Sequence, residues 1–520
     1  MKKNLTFLAF LCFTLMGYAQ NTFVPDDNFE QALIDLGYDS GALDNQVPTA
    51  NINTITYLNV ANKNIADLTG IQDFVALTDL YCYSNQLTSL NVNTNTALTY
   101  LDCHSNQLTS LNVSGNTALT HLYCYSNQLS SLNVSGNTVL TLLYCYSNQL
   151  TSLNVSANTA LTDLNCGSNL LTNIDVSANT NLTTLRCNSN QLSSLNVNTN
   201  TALTYLACSY NNISNFSVSA NVFLTDLVCN DNQLTSLIVS GNTALTYLDC
   251  YSNKLTSLNV SANTALTSLD CSLNLLTNID VSSNKALTVL YLYSNKLTSL
   301  DVSANTALVY LNCGSNLLTS LDVSTNTDLI YLYCFYNQLT SLDVSANKAL
   351  TYFECFNNQL TSLDVSANKA LTFLSCSYNN LLTSLNVKNG NNINMSGLNF
   401  SATNNPSLTC IQVDDASYST ANWTNVDAGA SFSANCALGT ENFSLFDFQY
   451  YPNPVSNSLT LKANEPIEEV TVFNLLGQQL MHILPSSNEK IIDMTGLNAG
   501  AYFVKVIISN TTKTFKIIKQ

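Results

Sequence analysis

Leu98-Thr-Tyr-Leu101-Asp-Cys103-His-Ser-Asn106-Gln-Leu108-Thr-Ser-Leu111-Asn-Val113-Ser-Gly-Asn116-Thr-Ala118 is one sentence of a text that repeats itself every 21 residues. Fifteen copies start at Leu77 and end with the copy at Leu371, with rare exceptions such as Phe353 for the second Leu and Leu292 for Cys. A fixed period of this size is the signature of a solenoid, in which each unit buries its apolar face against its neighbours. The repeat also aligns the chain with itself. Constant columns carry the scaffold, and varying columns are free for something else.

Two Asn columns are constant, Asn85 to Asn379 and Asn95 to Asn368. An inward amide at a turn satisfies backbone groups that would otherwise be orphaned, so both columns are assigned to structure. Of the 17 Cys, fourteen occupy one column (Cys82 to Cys271 and Cys313 to Cys376). Stacked coils lie about 4.8 Å apart, close enough for disulfides. The stacked side chains run parallel, however, and Leu292 fills the same slot, so these thiols are predicted to be buried small apolar groups. Cys410 and Cys436 lie beyond the array, in a segment with the single Trp423, and are predicted to form the one disulfide. No Cys-x-x-Cys spacing occurs, and no metal or cofactor is expected.

The copies resemble the leucine-rich repeat. Their 21-residue form, with Cys in the ladder and Leu-Asp-Val-Ser-x-Asn in the second half, is similar to the bacterial internalin-type branch. An irregular copy precedes them at Ile55-Thr-Tyr-Leu58-Asn-Val60. The fold implied is an α/β-type repeat solenoid, mostly β and irregular, of about sixteen right-handed coils with a parallel β-sheet on the concave face. Met1-Lys2-Lys3, an apolar run from Leu5 to Met16 and Gly17-Tyr18-Ala19 before Gln20 read as a signal peptide, cut between Ala19 and Gln20. That run is too short to span a bilayer, and no other long apolar stretch follows. Pro25-Asp-Asp-Asn28 then opens a short helix with Phe29, Leu33 and Leu36 on one face, a cover for the first coil.

Near Glu441 the repeat gives way to alternating segments, Ser458 to Lys462, Val470 to Asn474, Tyr502 to Ile508 and Thr514 to Ile518, which read as a small antiparallel β-sandwich. The motifs around Pro452, Asn453 and Pro454, Gly477, Gly500 and Tyr502, with the closing Lys-Ile-Ile-Lys-Gln, resemble the type A sorting domain of the type IX secretion system. The resemblance implies passage through the periplasm and across the outer membrane by the type IX machinery, then release or surface anchorage. The domains expected are 1–19 signal peptide, 20–54 N-terminal cap, 55–390 solenoid, 391–440 C-terminal cap with the disulfide, and 441–520 sorting domain.

Net charge is −17, yet only 9% of residues are charged and the repeats hold no basic cluster, which argues against nucleic acid as a partner. Strand side chains alternate, so three residues per copy point out of the first-half strand. These outward columns concentrate aromatics in two groups. One holds Tyr81, Tyr83, Tyr100, Asp102, His121, Tyr123, Tyr125, Tyr144 and Tyr146; the other holds Tyr291, Tyr293, Tyr331, Tyr333, Phe335, Tyr352 and Phe356. Rigid amphipathic rings favour a protein or glycan ligand. Cross-strand ring pairs also stabilise a sheet by roughly 0.2–1 kcal/mol each with no ligand, which would suit a structural spacer or surface-layer protein. Enzymatic chemistry is not expected. His104 and His121 near Asp79 and Asp102 are surface residues, and a flat strand face should not shift the pKa values of stacked Asp249 and Asp270.

Overall fold

The computed structural model describes residues 20–436, 447–509 and 511–520; the signal segment, including Ala19, lies outside them. The chain divides into two compact units. The first runs to Thr409 and includes Tyr418–Ala430, and the second comprises Cys410–Ser417 and Ser431–Gln520.

In the first unit each copy closes one coil. In the copy at Leu98, residues Leu98, Leu101, Cys103, Leu108 and Val113 have no exposed surface, and Leu111 is 7% exposed. The only regular element of the copy is a three-residue strand, Tyr100–Asp102, paired in parallel with Asp79–Tyr81 before it and His121–Tyr123 after it. The ladder begins at Tyr57–Asn59 and ends at Phe400–Ser401, through seventeen strands. Among the described residues no pairing joins its last strand to its first, so the ladder is open. Parallel strands leave no room for a register slip here, because a shift of one residue would turn every buried Leu outward.

Three side-chain columns hold coil to coil. Asn106 donates through Nδ2 to the carbonyls of Cys82 (3.0 Å) and Cys103 (3.1 Å), and its Oδ1 accepts from Leu87 N (3.0 Å). Each such amide therefore closes its own turn and completes the preceding one. Asn116 acts as a two-donor clamp on the carbonyls of Val92 and Asn95, both at 2.8 Å. The Thr column forms a third ladder: the Thr120 hydroxyl donates to Thr99 O at 2.9 Å. The residue before each first-ladder Asn has a left-handed backbone, as in Ser105 (φ 52°), Tyr210 (φ 52°), Leu273 (φ 49°) and Asn357 (φ 57°). That conformation turns the amide inward. It costs an L-residue roughly 1–2 kcal/mol, and the buried hydrogen bonds of the amide offset it. All fourteen ladder thiols are free and buried. Burial pushes the Cys166 thiol up to about 12, so it stays uncharged.

The helix Asp27–Asp35 covers the first coil, with Asp26 at its N-cap accepting from Asn28 N and Phe29 N. The second Asp26 oxygen accepts from Ala66 N and Asp67 N, which ties the cap to the array. Phe29 and Leu33 are buried as expected, whereas Leu36 is 44% exposed: the helix ends at Asp35, and Leu36 falls off the apolar stripe. At the other end the coil geometry runs past the residues where the motif stops. Asn405 takes the next ladder position, donating to Cys376 O and accepting from Asn379 N. Asp427 then accepts from Asn404 N and Asn405 N in place of a further amide. Trp423, 1% exposed, stacks on Phe400 at 4.1 Å and donates to Met395 O.

In the second unit Cys410 and Cys436 form a disulfide. Six antiparallel strands follow, Gln449–Tyr451, Ser458–Phe473, Gln479–Ile483, Ser487–Asp493, Gly500–Ile508 and Thr511–Lys519. The two segments read from sequence as Ser458 to Lys462 and Val470 to Asn474 are one long strand, interrupted by register shifts around Ile467. The motif residues sit at closures of this module. The Asn453 side chain accepts from Ile518 N and donates to Lys516 O, Gly477 has φ 76° at a turn, and the Tyr502 hydroxyl donates to Asn498 O. Pro452 and Pro454 flank Asn453, and Gly500 opens the strand that carries Tyr502.

Replacing Asn127 with Ala would strand Leu108 N–H in the core and take one of two amide donors from each of the Cys103 and Cys124 carbonyls, which keep Asn106 and Asn148. Urea unfolding should show a loss of about 2–3 kcal/mol. Leu273→Asn, which puts a residue tolerant of positive φ at an exposed left-handed site, should instead gain about 0.5–1 kcal/mol in the same titration.

Candidate functional site

Because pairing is in register, like positions of successive copies stand side by side: Tyr81 faces Asp102, then Tyr123, then Tyr144. This brings the nine residues of the first aromatic group together over four copies, and adds Tyr57 and His104. Position 83 and its successors make a stack four rings deep. Tyr83 lies 4.6 Å from His104, His104 4.2 Å from Tyr125, and Tyr125 4.3 Å from Tyr146, with interplanar angles of 8–11°. Beside it runs a tilted series, Tyr57 to Tyr81 (5.3 Å), Tyr81 to Tyr100 (4.8 Å), Tyr100 to Tyr123 (5.3 Å) and Tyr123 to Tyr144 (5.3 Å). The rings are half-buried by one another. Desolvation is the first cause that raises the hydroxyl pKa of Tyr100 and Tyr125.

The two histidines of this group do different things. His104 Nδ1 meets the Asp102 carboxylate, which is 7% exposed, while His121 Nδ1 meets the Thr120 hydroxyl at 2.8 Å. The second aromatic group is likewise contiguous and gains Tyr310 and Phe373. Tyr310 lies 4.6 Å from Tyr291 and 5.2 Å from Tyr333; Phe335 stacks on Phe356 at 4.8 Å, and Tyr352 on Phe373 at 4.0 Å. Tyr293 joins through Phe335 at 5.8 Å, and Tyr331 through Tyr352 at 6.3 Å. The signal for the residues that sequence reasoning left out is a position in the same column 21 or 22 residues away.

Between the groups the sheet face turns acidic. Tyr205, Asp226 and Tyr247 follow one another in a single column, and Asp249 faces Asp270 in the next. The expectation that a strand face leaves these carboxylates unshifted is corrected. Desolvation, with smaller contributions from Asp270 and Asp231, raises Asp249 to about 6, and burial raises Asp270 too. The Tyr251 N–H that Asp249 accepts works in the opposite direction and loses.

An acid whose folded pKa exceeds its unfolded value keeps a proton that the unfolded chain has released. Stability therefore falls as pH rises through the window from 3.8 to about 6. Asp249→Asn should raise the melting temperature at pH 7 and shrink the gain that the wild-type chain shows between pH 7 and pH 5, both read by scanning calorimetry.

Residues 449–520 match the family model described as the secretion system C-terminal sorting domain. Internalin J of Listeria monocytogenes is 36% identical over 76 residues, a match spanning 15% of this chain and 8% of that protein. The solved functional domain of the Listeria monocytogenes protein InlJ, described as including a cysteine ladder, is 30% identical with a TM-score of 0.66; the match covers 96% of this chain and 99% of that one. A leucine-rich repeat protein of Leptospira interrogans shares the fold at 22% identity and a TM-score of 0.51, over 64% of this chain and 92% of its own. The sorting module assigns the chain to the outside of the cell, secreted or at its surface, and no described helix is long and apolar enough to cross a membrane. Through its coils, its buried Cys column and its agreement with that Listeria domain, the chain belongs to the internalin-type leucine-rich repeat proteins.

Proposed function

We propose that this is a binding protein, not an enzyme, that engages a protein partner through the aromatic groups of its sheet face after export by the type IX route. The observation that carries the reading is the confinement of contiguous rings to one face, against a second-half surface of Ser, Asn and Asp. Large amphipathic rings gathered on a rigid scaffold supply contact area at low entropic cost. Between the two ligand classes that suit exposed tyrosines, ring geometry favours protein. Tyr125 has one neighbour stacked on each face, so it has no open face to lay against a sugar. A protein surface can instead be met by ring edges and hydroxyls.

The same stacking supports a second reading, a surface spacer whose rings serve only to brace the sheet. The two readings separate in a retention experiment on surface proteins of neighbouring and host cells, with the full chain immobilised. Tyr144→Ala with Tyr146→Ala, and Tyr333→Ala with Phe335→Ala, should each weaken the retained partner by about tenfold or more. Ring variants that retain everything the native chain retains would reject the binding reading and leave the spacer.

A further inference from the structure

The chain has one arginine, and its environment shows how this face holds a guanidinium. Arg186 lies over the Tyr205 ring, 4.6 Å from guanidinium carbon to centroid, and its Nη1 is 3.4 Å from the Asp163 carboxylate. A cation is thus taken by a tyrosine face on one side and an acid on the other, the arrangement that suits a planar, weakly hydrated charge. The next copies repeat the tyrosines and acids without the arginine. Tyr247 continues the column of Tyr205, with Asp226 between them. Asp249 and Asp270 are the acids whose charges act most on Tyr247, and Asp231, Asp270 and Asp249 act on Tyr251. Among the described residues none of Asp226, Asp231, Asp249 and Asp270 takes part in an ion pair. Asp249 facing Asp270 in register, both desolvated, leaves the region in a state that an incoming cation relieves.

We infer that this stretch, between the two aromatic groups, docks an arginine-bearing segment of the partner protein, each guanidinium resting on a tyrosine ring beside a carboxylate as Arg186 does. The inference rests on the binding reading above and names the partner's chemistry. Charge complementarity argues for it: the outward strand columns hold several acids and Arg186 as their one Lys or Arg, and that cation is already engaged.

The probe is fluorescein-labelled octa-arginine, titrated with the full chain at about 0.15 M salt, where long-range attraction is screened beyond about 8 Å. Asp226→Asn with Asp249→Asn and Asp270→Asn should weaken binding by about tenfold or more. The control removes the same charge from the second-half surface, Asp301→Asn with Asp322→Asn and Asp343→Asn, where Asn is the usual residue of the column in other copies. It should change binding by less than about twofold. Tyr247→Leu keeps apolar bulk, removes the ring, and should also weaken octa-arginine, with octa-lysine binding more weakly throughout. Equal losses in the two triple variants, no loss in the sheet-face variant, or equal binding of octa-lysine would overturn the inference. Loss of arginine selectivity while Tyr144 and Tyr333 variants still lose their partner would remove only this inference. Retained arginine selectivity with a partner indifferent to those rings would remove only the binding reading.

Discussion

The inside corner of each coil is the constraint on which everything else depends. There the chain reverses within a few residues and leaves backbone donors and acceptors in a core with no water. One buried carboxamide per copy resolves this, with Asn106 reaching the carbonyls of Cys82 and Cys103 and receiving Leu87 N–H. Nothing else among the common residues offers two donors and an acceptor in so small a volume. The amide must also enter at a fixed height, and that height sets the left-handed residue before it, the buried Cys three residues earlier and the buried Leu two residues later. A 21-residue sentence with few permitted edits is the result.

Rigidity of that kind decides what the surface can be. With the turns of the backbone held from inside by the first-ladder amides, the three outward positions of each strand carry no structural duty beyond contacts with one another. Their contents vary from Gly167 to Tyr146 to Arg186 without disturbing the ladder. In-register stacking turns each column into a row of chemistry, so adjacent copies compose patches that no single copy encodes: a four-ring stack near the N-terminal end, acids and tyrosines in the middle, and a second ring field beyond.

The scaffold was legible in the sequence because its cause is local and repeated. Period, buried Leu and Cys positions, outward columns and the two Asn ladders all follow from residues within one copy of each other. The left-handed Ser column was not legible, since Ser tolerates many conformations and is common wherever a surface is polar. The further coil at Phe400–Ser401 was hidden because it keeps the ladder's geometry through Asn405 and drops the motif. In the candidate site, membership of the two aromatic groups could be read from column positions. The raised carboxylates at Asp249 and Asp270 could not, because their shift arises from burial in the assembled array, which the residue types alone do not display.

The first-ladder amide also has a direction. Asn106 completes the turn of the preceding copy, whose Leu87 N–H it accepts, and leaves its own copy's Leu108 N–H for Asn127. No copy can finish itself. Growth of the array is therefore vectorial, each arrival sealing its predecessor, until Asp427 offers a carboxylate where another amide would stand and ends the series. A lineage can lengthen or shorten such a chain by whole copies with both terminators untouched. Size then becomes a countable trait, altered in steps of one coil, while the rows of outward chemistry are recut by the same stroke.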